Sequence, residues 1–337
     1  MGVTVQPCDV ITPPQAPKVP SSVNGFVTAD FIYWRTTVDR YQYAASGIAM
    51  VGSNNLPVPP SKRGQSKSPG FKLEPGFKVG AGLKFAHDGW DLYANYTWLN
   101  PARFKSTQSA SSGDMIGPGD PYFSSPTLSK VKDRFQQRFN VIDLELGRNF
   151  FLSKFMTLRP YFGLKSAWIK QHSWNYFTVF NNATNGLGIN NFLTPPGVAV
   201  TNLIQKEKVE SWGIGIRGGI APVWYFVKNF GLYGNFALSG MWTSYRNYQK
   251  TSYLGFSNTL PGAISGETSN FLRTFHTVTP VIELGLGLTY KAFFYECAHA
   301  LTVSAGWEEQ MWIDFNGGLP GGNMTLQGLT VKVGYEF

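Results

Sequence analysis

Acidic and basic side chains recur at alternate positions in several short stretches of this chain, and that spacing bounds their chemistry. Lys78 and Lys84 stand in FKVGAGLKF, Asp91 in WDLYANYTW, Asp143 and Glu145 in VIDLELG, and Arg159 and Lys165 in LRPYFGLKS. Arg217 stands in GIGIRGG, Glu283 in VIELGLG, and Lys332 and Glu336 in LTVKVGYEF. A strand sends successive side chains to opposite faces. Each stretch therefore has one apolar face and one that carries charge or glycine. In a membrane barrel the apolar face meets lipid and the polar face lines the lumen. Asp30 and Glu308 fall on the same inner face by the same count. Both signs of charge are present, so strong ion selectivity is not expected. Two uses remain open for them. They can pair and fill a narrow interior, since buried ions need partners. They can also stand on opposing walls of a constriction and polarise a passing solute.

Nothing in the chain suggests a reaction. The histidines, His87, His172, His276 and His299, have no neighbouring Asp-x-His and no recognisable serine partner. No His/Cys/Asp spacing suits a metal. GLGIN and GAGL are not phosphate loops, because no helix follows them. The expectation is a protein that is not an enzyme and uses no metal or cofactor. Net charge is +9, yet the one basic run, SKRGQSKSPGFK at 61–72, is broken by glycine and serine. It lacks interleaved base-stacking aromatics, so nucleic acid is not an expected partner. A cationic loop facing anionic lipopolysaccharide or phosphate fits better.

The elements that position these residues follow from the same alternation. The 337 residues are 43% hydrophobic, 15% aromatic and only 15% charged, with 37 glycines; low charge with many aromatics is unusual for a soluble enzyme. No apolar run reaches the roughly eighteen residues of a membrane helix. Ten stretches alternate, from FVTADFIYW at 26–34 to LTVKVGYEF at 329–337. Short connections lie near 87–89, 149–157, 226–231 and 291–297. Longer ones, rich in Gly, Ser, Asn, Thr and Pro, lie near 36–70, 101–133, 175–206, 246–272 and 314–324. This predicts an all-β, antiparallel up-and-down transmembrane barrel in a bacterial outer membrane. About ten strands are expected, or twelve if RYQYAASGIAMVG at 40–52 hides another hairpin. The long loops would be extracellular, and the short turns and both termini periplasmic. Residues 1–24 read as a proline-rich periplasmic arm and 25–337 as the barrel. The first residues lack the basic flank and apolar core of a signal peptide, as in a mature form.

Aromatic residues cluster toward both ends of the strands. Trp34, Trp98, Trp168, Trp242 and Trp312 lie toward the loop ends, Trp90 and Trp224 toward the turns. Indole rings prefer the headgroup level, so these predict two girdles. From Trp90 to Trp98, a tilted strand rises roughly 20 Å, enough for a thin lipid band.

FLSKFMTLRPYFGLKSAWIKQ (151–171), SWGIGIRGGIAPVWYF (211–226), FGLYGNFALSGMW (230–242) and TFHTVTPVIELGLGL (274–288) resemble the Legionella-type major outer membrane protein family. Related pore-forming proteins occur in environmental relatives of chlamydiae. The resemblance spans about 26–337 and implies a surface-exposed, porin-like protein with no catalytic residues. The leading functional expectation is a passive pore for small hydrophilic solutes, with outer-membrane lipids and lipopolysaccharide around it. The other is a closed barrel acting as adhesin or structural surface antigen, which narrow girth and long loops favour. The closing strand places Val333, Tyr335 and Phe337 on one apolar face. It resembles the signal read by the barrel-assembly machinery. Cys8 and Cys297 both map to the periplasmic side, an oxidising compartment. They could pair with each other, cross-link to other envelope proteins, which the resemblance favours, or remain free.

Overall fold

Alternation becomes ten long antiparallel strands in the computed structural model. It describes residues 23–39, 41–48, 50–51, 57–58, 63–85, 89–99, 103–109, 115–117, 128–179, 198–257, 262–294, 299–315 and 322–337. The strands are β1 (Asn24–Val38), β2 (Leu73–Lys84), β3 (Trp90–Leu99), β4 (Leu128–Arg148), β5 (Met156–Val179), β6 (Val198–Val227), β7 (Phe230–Ser257), β8 (Ala263–Phe294), β9 (His299–Phe315) and β10 (Gly322–Glu336). Each pairs with the next, and β10 returns to β1 in a register running from Phe26↔Glu336 to Val38↔Met324. The described residues contain no helix. Closure leaves no open edge, and an open edge in lipid would strand backbone groups at several kcal/mol each.

Register fixes the two faces. On β4, Asp143 and Glu145 are buried while Ile142 and Leu144 are exposed, and on β8 Glu283 is buried while Leu284 and Leu286 are exposed. Phe162, Leu164, Ile214, Ile216 and Leu238 continue the outward apolar surface. So broad an apolar belt would be an aggregation hazard in water and suits a lipid-facing wall. The turn end is tight. Two residues, Lys228 and Asn229, link β6 to β7, and Asn229 takes a φ of 72° to close that turn.

The other end departs from expectation. The spans 175–206 and 246–272 were expected as loops, yet β5 runs to Val179 and β6 begins at Val198. β7 and β8 stay paired out to Phe256↔Ala263. Within 101–133, Arg103–Ser109 continues to pair with β4. The reason is the surroundings of the outer face. Beyond the lipid it meets water, so residues such as Lys170, Lys208 and Lys250 occupy it and the apolar contrast fades.

The described residues within 40–52 form no membrane hairpin. Ala44–Ile48 pairs with Ser66–Lys67 and Met115–Gly117. It folds into the mouth of the barrel, where Tyr43 and Ala44 pack against the inward Leu128, Val131, Phe177, Leu203 and Tyr253. The Tyr41 ring lies 5.1 Å from Phe135 and the Phe71 ring 5.4 Å from Phe104. The described residues of the connection between β1 and β2 thus pack into the far end. The expected arm lies outside the described residues up to residue 22, and β1 begins at Asn24.

Candidate functional site

The charged positions singled out by alternation converge inside the barrel. Arg217 on β6 reaches across to Glu283 on β8, donating from Nε to Oε1 at 3.1 Å and from Nη2 to Oε2 at 2.8 Å. Its remaining nitrogen pairs with Glu145 on β4. Arg159 on β5 donates to Asp91 Oδ2 at 3.0 Å and to Glu145 Oε2 at 2.9 Å. Lys165, fully buried, lies 2.7 Å from Asp143 and 3.0 Å from Glu283. The Tyr161 ring takes both guanidiniums, at 5.2 Å from Arg159 and 5.0 Å from Arg217. Desolvating so many charges is offset only because each finds an opposite partner.

A second group occupies the other wall. Lys78 on β2 pairs with Glu308 on β9, and its ammonium lies 4.6 Å from the Trp34 ring. Lys332 sits over the Tyr93 ring at 5.4 Å. Toward the turns, Glu336 receives Lys84 at 2.7 Å and Lys291 at 3.1 Å. All of these charged side chains except Lys165 line a cavity of about 590 Å³. Inward glycines make room for the long chains rather than widening a channel. A Cβ on Gly147 would stand 2.6 Å from Arg159, and one on Gly80 2.5 Å from the Tyr93 hydroxyl.

Beyond the charges the interior turns apolar and closes. Phe139 of β4 and Trp312 of β9 face each other across the barrel at 5.9 Å between rings. Trp312 also meets Phe315 at 6.2 Å, and Phe315 meets Tyr245 of β7 at 5.6 Å. Gln171 donates to Gln137 at 3.0 Å, and Gln137 Nε2 lies 3.5 Å from Met324 Sδ on β10. Ile32, Trp34, Phe135, Ile169 and Met241 complete this layer, all at 2% exposure or less. The layer lies one residue along the chain from the outward Trp168 and Trp242.

Two girdle assignments are thereby corrected. Trp34 and Trp312 are 0% and 1% exposed and face inward; the Trp34 indole donates to Thr330 Oγ1 at 3.1 Å. Position along the strand was read correctly and face was not. Trp34 shares the parity of Asp30, and Trp312 that of Glu308, a signal already present in the sequence. Trp168, Trp224 and Trp242 are exposed, and Trp90 and Trp98 half-buried, on the outer face. Trp212 and Trp307, which alternation puts on the apolar faces of their strands, join them at 51% exposure each.

His172, His276 and His299 have the outward parity. His276 stacks on Trp242 at 5.8 Å and His299 on Tyr335 at 5.8 Å. Among the described residues no three of His, Cys, Asp or Glu gather as a metal would need. His87, Cys8 and Cys297 lie outside the described residues, and so does the disulfide expectation. Val333, Tyr335 and Phe337 face outward, and Phe337 exchanges two backbone bonds of 3.0 Å with Gly25.

The family model described as the Legionella pneumophila major outer membrane protein precursor matches residues 18–336. No curated protein matches the chain. Among solved structures it is similar to the outer membrane protease OmpT of Escherichia coli, with 10% identity, TM-score 0.39, and 96% and 99% of the two chains covered. A major outer membrane protein of Thermus thermophilus gives 9% identity and TM-score 0.32, over 94% of this chain and 100% of that one. A Pseudomonas aeruginosa FadL homologue gives 9% identity and TM-score 0.26, over 94% and 90%. Scores this low say nothing of activity; the barrel rests on its own strand register.

Proposed function

The chain belongs to the Legionella pneumophila major outer membrane protein family, and on that premise we propose that it is a closed barrel presenting a folded surface, as an adhesin or structural surface antigen does. One observation carries this reading: Phe139 and Trp312, from strands half a turn apart, are in ring contact. A water-filled path needs those walls apart. Strands that continue as paired hairpins past the outward tryptophans supply the surface on display. In this reading the turn end and both termini face the periplasm, the far end faces the exterior among lipopolysaccharide, and the assembly machinery reads the closing strand.

The charged cavity favours a second reading, the passive pore for small hydrophilic solutes, in which the aromatic layer moves aside. Planar-bilayer recording separates the two. The closed barrel is expected to stay silent, and Phe139→Ala combined with Trp312→Ala to bring discrete conductance steps. Discrete steps from the unaltered protein would overturn the closed-barrel proposal.

A further inference from the structure

Beyond the outward tryptophans, β4, β5 and β6 continue side by side, and their inner faces change character. Asp133 lies directly opposite Asn175, Asn175 opposite Gln205, and Ser173 opposite Glu207. These positions share the inward parity of Phe135, Phe177 and Leu203. Asp133 is 2% exposed and Asn175 8%. From the mouth segment, Tyr41 donates its hydroxyl to Asp133 Oδ1 at 3.1 Å. Gln205 donates to Glu207 Oε1 at 2.7 Å. Asp133 Oδ2 and Asn175 Oδ1 have no hydrogen-bond partner among the described residues.

This wall is unlike the lumen below it, where carboxylates meet arginine or lysine. Here the nearby cations belong to the outer face. Lys208 pairs with Glu210 at 3.0 Å, and Arg134 lies over the Trp174 ring at 5.2 Å. Two carboxyls and an amide carbonyl therefore share a desolvated space without a facing ammonium or guanidinium among the described residues. Buried carboxyls in that state take up a proton or a metal ion. The Glu207 carboxylate is close enough to Asp133 for its charge to act on it.

We propose that Asp133, Asn175 and Glu207, with the Ser173 and Tyr41 hydroxyls beside them, form a site for a hard divalent cation of the calcium class. The donors are all oxygen, from carboxylate, amide and hydroxyl groups, as calcium takes in flexible six- to eight-fold shells. Zinc, copper and nickel would call for nitrogen or sulfur, which this set lacks. A bound ion would tie the mouth segment, through Tyr41, to the wall formed by β4 to β6. The inference does not depend on whether the lumen conducts.

Terbium, which replaces calcium and is made luminescent by nearby tyrosine, tests the site in the refolded full-length protein. Saturable emission displaced by calcium is expected. Asp133→Asn or Glu207→Gln should weaken it by roughly tenfold or more, whereas Glu267→Gln, at an exposed carboxylate, should leave it unchanged. No saturable emission, or equal emission in wild type and both site variants, would overturn the proposal, as would equal loss in Glu267→Gln. If Asp133→Asn does not refold, Glu207→Gln decides by itself.

Discussion

Phe139 and Trp312 stand on strands five apart in a ring of ten, yet their rings meet edge to face at 5.9 Å. Truncating either opens a cavity in a layer whose neighbours are almost fully buried. A loss of about 3–5 kcal/mol is expected for Phe139→Ala, read from urea unfolding in lipid. The double truncation should also admit small sugars in a liposome-swelling assay. Sugar entry equal to wild type would show that this layer is not the seal.

Arg217 holds Glu283 through two hydrogen bonds and Glu145 through a third contact. Arg217→Ala leaves buried carboxylates without their partner and should cost roughly 3–5 kcal/mol. Lys84 is half-exposed near the turns, where Lys291 also serves Glu336. Lys84→Gln should cost below about 1 kcal/mol. Similar unfolding midpoints for the two variants would contradict this ranking.

Asp133 titrates at about 7 in the folded chain against an ordinary 3.8, so folding favours its protonated form. Its contribution to stability is whole below about pH 4 and is lost as pH rises through about 7. Burial raises Glu207 in the same direction, and Tyr41 and Tyr43 are also raised and stay neutral throughout. In the absence of divalent cations, protease access to the mouth segment should therefore increase from pH 5 to pH 8. Asp133→Asn should flatten that dependence. Cleavage that falls with rising pH would show the sign to be wrong.

Phe337 closes the ring through its reciprocal bonds to Gly25 and stacks on Tyr335 at 6.0 Å. Deleting Phe337 should leave protease-sensitive, unassembled material, while Phe337→Tyr should assemble. Val333→Asp, on the lipid-facing side opposite Ala29, should impair assembly far more than Lys332→Gln. Heat-modifiable migration on gels reads all four variants. Normal assembly of the truncated chain would remove Phe337 from the insertion step.

Alternation alone specified the barrel from this sequence. Within lipid, every second residue is apolar, and toward the turn end the enclosed neighbours are mostly charged, polar or small. The faces of Asp143, Glu145, Lys165, Arg217 and Glu283 were therefore legible by counting in twos. So was the number of crossings. The far hairpins were not, because once the outer face meets water the strand keeps its hydrogen bonds but loses its apolar signature. Lys206 and Lys250 read as loop for that reason. Closure of the interior was also hidden. Parity could have turned Trp34 and Trp312 inward, but they and Phe139 lie far apart in the chain, and counting in twos does not say which inward side chains meet. Only the ring's circumference brings opposite walls within reach of one another, so contact across the lumen was decided by the tertiary structure. The same holds for Tyr41, whose approach to Asp133 depends on the mouth segment folding inward between strands distant in sequence.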